Sequence, residues 1–383
     1  MNPEHRASRR RVLRATGGAL AGVGAGGLAS AAPDDRVTVN VGFASERGRN
    51  AALDAADETV REFAFDAATL RLPAEAAAAL GERPGVRYVE RDGPVEALGQ
   101  TVPWGVRAID ARTAHVEGYT GAGADVAVID SGIDASHGDL WENLGDGHAV
   151  VDCDDGCNSC GLCETAWDDD SGHGTRIAGT VGAVDNDRGI VGVAPDATLH
   201  AVKVLGCDDR GSFSTVASGI QHAADAGRDV GVLALGAESG SQTLKDACRY
   251  AADRGLLLVG AAGNDGCDDC VSYPAAYDEV VAVSATDEND ALASFSSAGP
   301  EIELAAPGAD LTPLSCGGDT GYESVSGTSF AAAHVAGSAA CLMAEGDDAD
   351  EARARLRETA KDIGLPSDEQ GDGLVDAAAA LGL

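Results

Sequence analysis

Three side chains in this sequence have types and settings suited to chemistry. Asp130 follows the apolar run Val126-Ala127-Val128-Ile129 and opens the turn Ser131-Gly132-Ile133-Asp134. A carboxylate at the tip of a buried strand is costly unless paired; here it could orient and stabilise an imidazolium. His173 stands between Gly172 and Gly174, so other backbone can approach its ring closely. Ser329 begins a small-residue stretch, Phe330-Ala331-Ala332-Ala333, that reads as a helix. Backbone N–H groups and the dipole at a helix start favour developing negative charge. Taken singly the signals are weak, since an Asp often ends a first strand and a lone His is more often structural. An Asp upstream in a strand setting shifts the weight toward catalysis.

Positioning these residues requires a scaffold with a common edge. From Gly99 onward, short apolar runs at 125–129, 198–204, 230–235, 256–261 and 280–284 alternate with helical or turn-rich stretches. That alternation predicts an α/β fold of three layers, a mostly parallel sheet with helices on both faces. Ligands of such sheets sit at the carboxyl ends of the strands, where Asp130 and Ala261-Ala262-Gly263-Asn264 fall.

The N-terminal part reads separately. Ser8-Arg9-Arg10-Arg11-Val12-Leu13 resembles a twin-arginine export signal, with a weakly apolar stretch at 15–27 and small residues Ala29-Ser30-Ala31-Ala32 suited to cleavage. Residues 1–32 are therefore set apart as a signal peptide. The next stretch predicts strands at 37–41, 64–65, 70–72 and 86–90, and helices at 50–59 and 73–80, the last with Pro73 in its first turn. A β-α-β-β-α-β order is ferredoxin-like.

The segment Gly327-Thr328-Ser329-Phe330-Ala331-Ala332-Ala333-His334-Val335-Ala336-Gly337 resembles the serine motif of subtilisin-like proteases. The chain order Asp, His, Ser is also that family's order. The resemblance runs from about Val37 to the end, including "LPAEAAAAL", which resembles part of an inhibitory propeptide. It implies a propeptide at 33–98, a peptidase domain at 99–383 and a secreted endopeptidase of the haloarchaeal halolysin kind. By the same resemblance Ser329 is the nucleophile, His173 the base and then the acid, and Asp130 the residue that holds the imidazole tautomer. Asn264 would complete an oxyanion hole. The substrate groove would be lined by Gly211, Phe213, Leu235, Gly236 and Gly263, with Phe213 flooring an apolar pocket. Ala234 and Ala237 depart from the family's usual Ser and Gly, and Glu238 adds an acid near the primary pocket. Arg176 stands where a second His is usual, and Ala333 where a Pro is usual.

Gly99-Gln100-Thr101-Val102-Pro103-Trp104-Gly105 resembles a mature N-terminus, which puts processing near Leu98. The family resemblance implies calcium held by Gln100, Asp139 and Asn186, with Val184, Arg188 and Ile190 of the same loop. Oxygen donors of this kind suit a hard cation.

The chain carries ten cysteines. Cys153, Cys157, Cys160 and Cys163 crowd an Asp-rich stretch that looks like an insertion between Asp130 and His173. Export argues for disulfides here and at Cys207, Cys267, Cys270 and Cys316. The four-cysteine cluster also has spacing compatible with a zinc site. Cys248 and Cys341 read as core residues.

Charge and size narrow the classes further. The 383 residues hold 63 acids against 27 bases, a net of −36, with Lys203, Lys245 and Lys361 the only lysines. Dispersed acids make a solvating surface that stays soluble in strong salt, the composition of halophilic proteins. Nucleic acid would be repelled. No apolar run reaches the roughly 18 residues of a membrane span. The partners expected are peptide substrates and the chain's own propeptide, on a monomer. A catalytically silent binding protein and a dedicated processing protease are the competing classes; the intact Asp130, His173, Asn264 and Ser329 weigh against the first. The absence of residues beyond Leu383 and the altered pocket leave the second open.

Overall fold

The computed structural model describes residues 36–92, 100–157, 160, 163–316 and 324–383. The chain divides into two compact units between Ala97 and Leu98. The expected signal peptide and the expected processing point at Leu98 lie outside the described residues.

The first unit runs β1 (Arg36–Phe43), helix Glu46–Leu53, β2 (Glu58–Phe63), β3 (Ala67–Pro73), helix Ala74–Gly81 and β4 (Val86–Arg91). Its antiparallel sheet has the order β2-β3-β1-β4, so the ferredoxin-like succession is present. Val39, Val41, Leu70, Leu72, Ala77 and Leu80 form its core. Two expected elements are displaced. The first helix starts earlier than residue 50 because Ser45 caps it, accepting from the Gly48 N–H. Residues 58–59 belong to β2, and Ala64-Phe65 lie in the turn after it. β2 is exposed along almost its whole length, so no apolar alternation marks it in the sequence.

The second unit is built on a seven-stranded sheet of order β11-β10-β9-β8-β5-β7-β6. The strands are β5 (Asp125–Asp130), β6 (His148–Ala149), β7 (Thr198–Lys203), β8 (Val230–Leu233), β9 (Leu257–Ala261), β10 (Val280–Thr286) and β11 (Ile302–Pro307). All the pairings are parallel. Successive residues of a strand face opposite sides, and β5 shows the result. Val126 and Val128 pack in one core with helices His173–Gly182 and Thr328–Ala344. Ala127 and Ile129 pack in another with helices Phe213–Asp225 and Gln242–Ala252. Three layers follow directly.

Helix Thr328–Ala344 is buried on every side from Thr328 to Leu342. Small residues make that possible: a Cβ at Gly337 would come 2.6 Å from Val193 Cβ. Ala333 sits inside this helix with no exposed surface. Strands β6 and β11 are additions to the sequence reading. β6 has only two residues. β11 carries Glu303, which pairs with Arg353 and Arg357, and it ends in Pro307, so it reads as turn.

The last residue of β7 breaks the apolar rule. Lys203 has no exposed surface, and its Nζ donates to Asp170 Oδ1 (2.6 Å), Ser131 O (2.6 Å) and Leu205 O (3.0 Å). All three ammonium protons are thereby used. One side chain ties the ends of β5 and β7 to the loop before His173. Removing one partner of a buried pair leaves an uncompensated charge, at a cost of roughly 3–5 kcal/mol. Lys203→Met should therefore lower the unfolding free energy by about that amount in denaturant titration, and adding Asp170→Asn should restore part of it. A single-variant loss within about 0.5 kcal/mol, the size of an ordinary surface change, would refute this account.

Candidate active site

Asp130 and His173 meet at the carboxyl edge of the sheet. Asp130 ends β5 with no exposed surface; its Oδ1 lies 2.8 Å from His173 Nδ1 and accepts the Ser131 N–H at 2.7 Å. Asp130 Oδ2 is buried without a hydrogen-bond partner among the described residues. With Nδ1 bound, Nε2 is the ring nitrogen left for other chemistry.

His173 opens helix His173–Gly182, and Gly172 turns the chain into it at a left-handed φ of +98°. The flanking Gly174 is required by space, since a Cβ there would come 2.1 Å from Gly132 O. Asp169 holds this turn. Its carboxylate accepts from Ser131 Oγ, the Ser171, Gly172 and Thr175 N–H groups, and Thr175 Oγ1, at 2.7–3.0 Å. Neither Asp169 nor Asp170 stands out in the sequence, where they are two acids among many. Lys203 had a signal: a lysine inside the apolar run Ala201-Val202-Lys203-Val204-Leu205.

Ser329 is the second residue of helix Thr328–Ala344, where backbone N–H groups have no partner within the helix. Its hydroxyl donates to Ala234 O at 3.1 Å. Asn264 follows β9, and its orientation is set by Thr328. Both the Thr328 N–H (2.9 Å) and Oγ1 (3.0 Å) donate to Asn264 Oδ1, which turns the amide Nδ2 away from them. Thr328 Oγ1 also accepts the Gly263 N–H at 3.1 Å. Asn264 is thus presented as a side-chain donor beside the Ser329 helix start.

His173, Asn264 and Ser329 line one groove of about 560 Å³. Its walls include Gly211, Phe213, Leu235 and Gly236, so the expected groove residues come together. Gly263 stands at the end of the adjoining strand with φ +113°. Glu238 is exposed and follows Ala237, which lines the groove; Glu238 itself is not among the lining residues.

The sequence model of the subtilase family matches residues 121–375. A thermostable alkaline protease of Halalkalibacterium halodurans is 43% identical over 303 residues, covering 79% of this chain and 79% of the relative. Subtilisin E of Bacillus subtilis is 39% identical over 320 residues, covering 82% and 80%. An alkaline protease of Alkalihalobacillus alcalophilus is 40% identical over 314 residues, covering 82% and 78%. The chain belongs to the subtilase family. As a subtilase it is a serine endopeptidase.

The residues expected to hold calcium in this subtilase converge on one loop. Thr101 pairs with the loop, its N–H donating to Gly189 O at 2.7 Å. Gln100 Nε2 then donates to Val184 O at 2.6 Å and Ile190 O at 2.9 Å. The Asp139 carboxylate lies so near Gly189 that a Cβ there would come 1.7 Å from its Oδ2. Asn186 Nδ2 reaches Asp139 Oδ1 at 3.4 Å, and Arg188 N donates to Asn186 Oδ1 at 3.0 Å. The loop carbonyls and the Asp139 carboxylate suit a hard cation. Gln100 and Asn186 here turn their amide nitrogens toward these oxygens, so each would have to rotate its own oxygen inward to join as a ligand.

The cysteine cluster behaves otherwise than a zinc site requires. Cys153 pairs with Cys163, Cys157 with Cys207, and Cys160 with Cys316. With all four sulfurs in disulfides, no thiolate is left to bind a metal, so the zinc reading is withdrawn. Cys267 pairs with Cys270, while Cys248 and Cys341 are buried thiols.

Burial alone would lower the His173 pKa, but the charge of Asp130 and its hydrogen bond more than offset that and raise it to about 9. The imidazolium is thus favoured in the folded state, and the neutral ring accumulates only as pH rises. Stability from this pair is full below the unfolded histidine's value near 6.5 and is lost as pH rises through about 9. NMR titration should place His173 well above 6.5, and Asp130→Asn should bring it down. A midpoint at or below 6.5 in the parent would overturn this.

Proposed function

We propose that this subtilase is an exported endopeptidase, made with an inhibitory propeptide at 33–98, that cleaves peptide bonds through an acyl-enzyme on Ser329. The observation that carries the reading is the Asp130–His173 bond beside a groove that Ser329 and Asn264 also line. An extended peptide lies along 211–213 and 235–236 as an added strand. Ser329 Oγ leaves its resting bond to Ala234 O and attacks the scissile carbonyl, while His173 Nε2 takes the hydroxyl proton. Asn264 Nδ2 and the Ser329 N–H receive the oxyanion. His173 then gives its proton to the leaving amine as the C–N bond breaks. Water repeats the sequence on the acyl-enzyme, with His173 as base, and releases the acid.

Three features support the finer parts. The first unit has its own core and precedes the junction near Leu98, as a propeptide would. Ser8-Arg9-Arg10-Arg11-Val12-Leu13, followed by small residues at 29–32, has the form of a twin-arginine leader. A net charge of −36 fits work in concentrated salt, where such charge is screened.

A calcium ion, when bound, would be held by Gln100, Asp139 and Asn186 with the loop carbonyls of Val184, Arg188 and Ile190. It would neutralise Asp139 and pin the segment after Leu98 to the loop.

Expressed in molar salt, the parent precursor should cut itself near Leu98, and Ser329→Ala should remain full length. Asn264→Ala should process slowly, its turnover down about 100- to 1,000-fold, the range established for this donor in subtilisin itself. Equal trimming of parent and Ser329→Ala would refute the mechanism. Calcium at about 100 times its dissociation constant should stabilise the mature enzyme by ~2.7 kcal/mol, and Asp139→Asn should abolish the calcium-dependent rise in melting temperature. A chelator that leaves the parent's melting temperature unmoved would count against the calcium site.

A further inference from the structure

The Cys160–Cys316 disulfide closes a separation of 156 residues, with its Cα atoms 4.8 Å apart. Cys160 lies in the segment before His173, and Cys316 in the segment before Ser329. Both sulfurs lie against Gly172: a Cβ there would come 2.7 Å from Cys316 Sγ and 3.3 Å from Cys160 Sγ. Gly172 is the left-handed residue from which helix His173–Gly182 starts.

The other bridges stand elsewhere. Cys153–Cys163 closes a separation of 10 residues inside the insertion. Cys157–Cys207 ties the insertion to the segment leading to the groove wall at Gly211. Cys267–Cys270 spans 3 residues.

We propose that Cys160 and Cys316 are positioning residues: their bridge braces the Gly172 turn from behind and fixes the His173 ring relative to Ser329. This rests on the reading of His173 as the base for Ser329. Asp169 grips the same turn through the Ser171 and Gly172 N–H groups, so the turn is held by hydrogen bonds on one side and by sulfur on the other. Removing the sulfur wall leaves the Asp169 bonds in place but lets the turn shift. Among the described residues, neither Cys160 nor Cys316 lines the groove. Turnover therefore suffers, and substrate affinity does not.

The test uses mature enzyme, with active sites counted by an acylating ester. Cys160→Ser/Cys316→Ser is compared with the parent and with Cys153→Ser/Cys163→Ser. Turnover per active site should fall about 10- to 100-fold, the cost of a misplacement of roughly 1 Å, with KM little changed. The acid limb of the turnover profile should move from its parental position as the Asp130–His173 geometry changes. The Cys153/Cys163 variant should keep parental turnover and pH profile. Gly172→Ala should slow the parent severely but cost less in the bridge-free background, because its Cβ no longer meets sulfur.

If the double variant does not fold, folded parent is treated with dithiothreitol and alkylated, and the modified cysteines are mapped. Turnover should then fall in step with modification of Cys160 and Cys316. A lowered melting temperature with parental turnover and acid limb would make the bridge a staple only and overturn the proposal. Activity surviving in Ser329→Ala would instead defeat the reading it rests on, so the two failures are separable.

Discussion

The Asp130 carboxylate has no exposed surface, and it is one of several acids buried at this edge of the sheet. A buried carboxylate is tolerated only where donors or counter-charges meet it. Asp130 takes the His173 ring and the Ser131 N–H. Asp169 takes five donors, Ser131 Oγ just after β5 and four from the turn and the helix start beyond it. Asp170 takes the Lys203 ammonium and the Asp154 N–H. These donors come from different parts of the chain, so satisfying each acid also fixes a segment. The end of β5, the entry to the His173 helix and the end of β7 are held in register by one requirement. Orientation of the imidazole is a by-product of burying charge successfully.

The residues proposed to react stand out in the sequence because each sits in a short string with its own turn or helix start. Gly172 and Gly174 around His173, and the small residues after Ser329, announce close backbone approach without any knowledge of distant partners. The sheet was legible for the same reason: its central strands are continuous apolar runs, as strands covered on both faces must be. What supports the site from behind was not. Asp169 and Asp170 look like every other acid in a chain with 63 of them, and composition cannot separate a solvated carboxylate from a buried one. Cysteine spacing left disulfides and metal both open, because two of the three bridges from the cluster reach partners outside it. Elements at the margins also escaped. β2 is exposed and charged, and the apolar run of β11 is interrupted by an arginine-paired glutamate.

The side chains that fill the core explain how the layers come so close. Ala and Val dominate the main cluster, and aromatics are 4% of the chain. Small residues allow helix Thr328–Ala344 to be surrounded completely, which brings Ser329 to the sheet edge on a helix that has little room to shift. Close packing of this kind transmits strain and resists it. The altered Ala333 is tolerated in this setting, since an alanine continues a helix without interruption.

The order of the sheet has a kinetic consequence. Val126 pairs with Leu199 on one side and Val230 on the other, so the strand that carries Asp130 acquires its neighbours only after long loops have closed. Chains dominated by such non-local pairing fold slowly and expose apolar strand edges while they wait. A nascent molecule of this kind spends its vulnerable interval carrying a large excess of negative charge. Like charge keeps partly folded copies from meeting, so the acidic surface protects the chain before there is a finished surface to solvate.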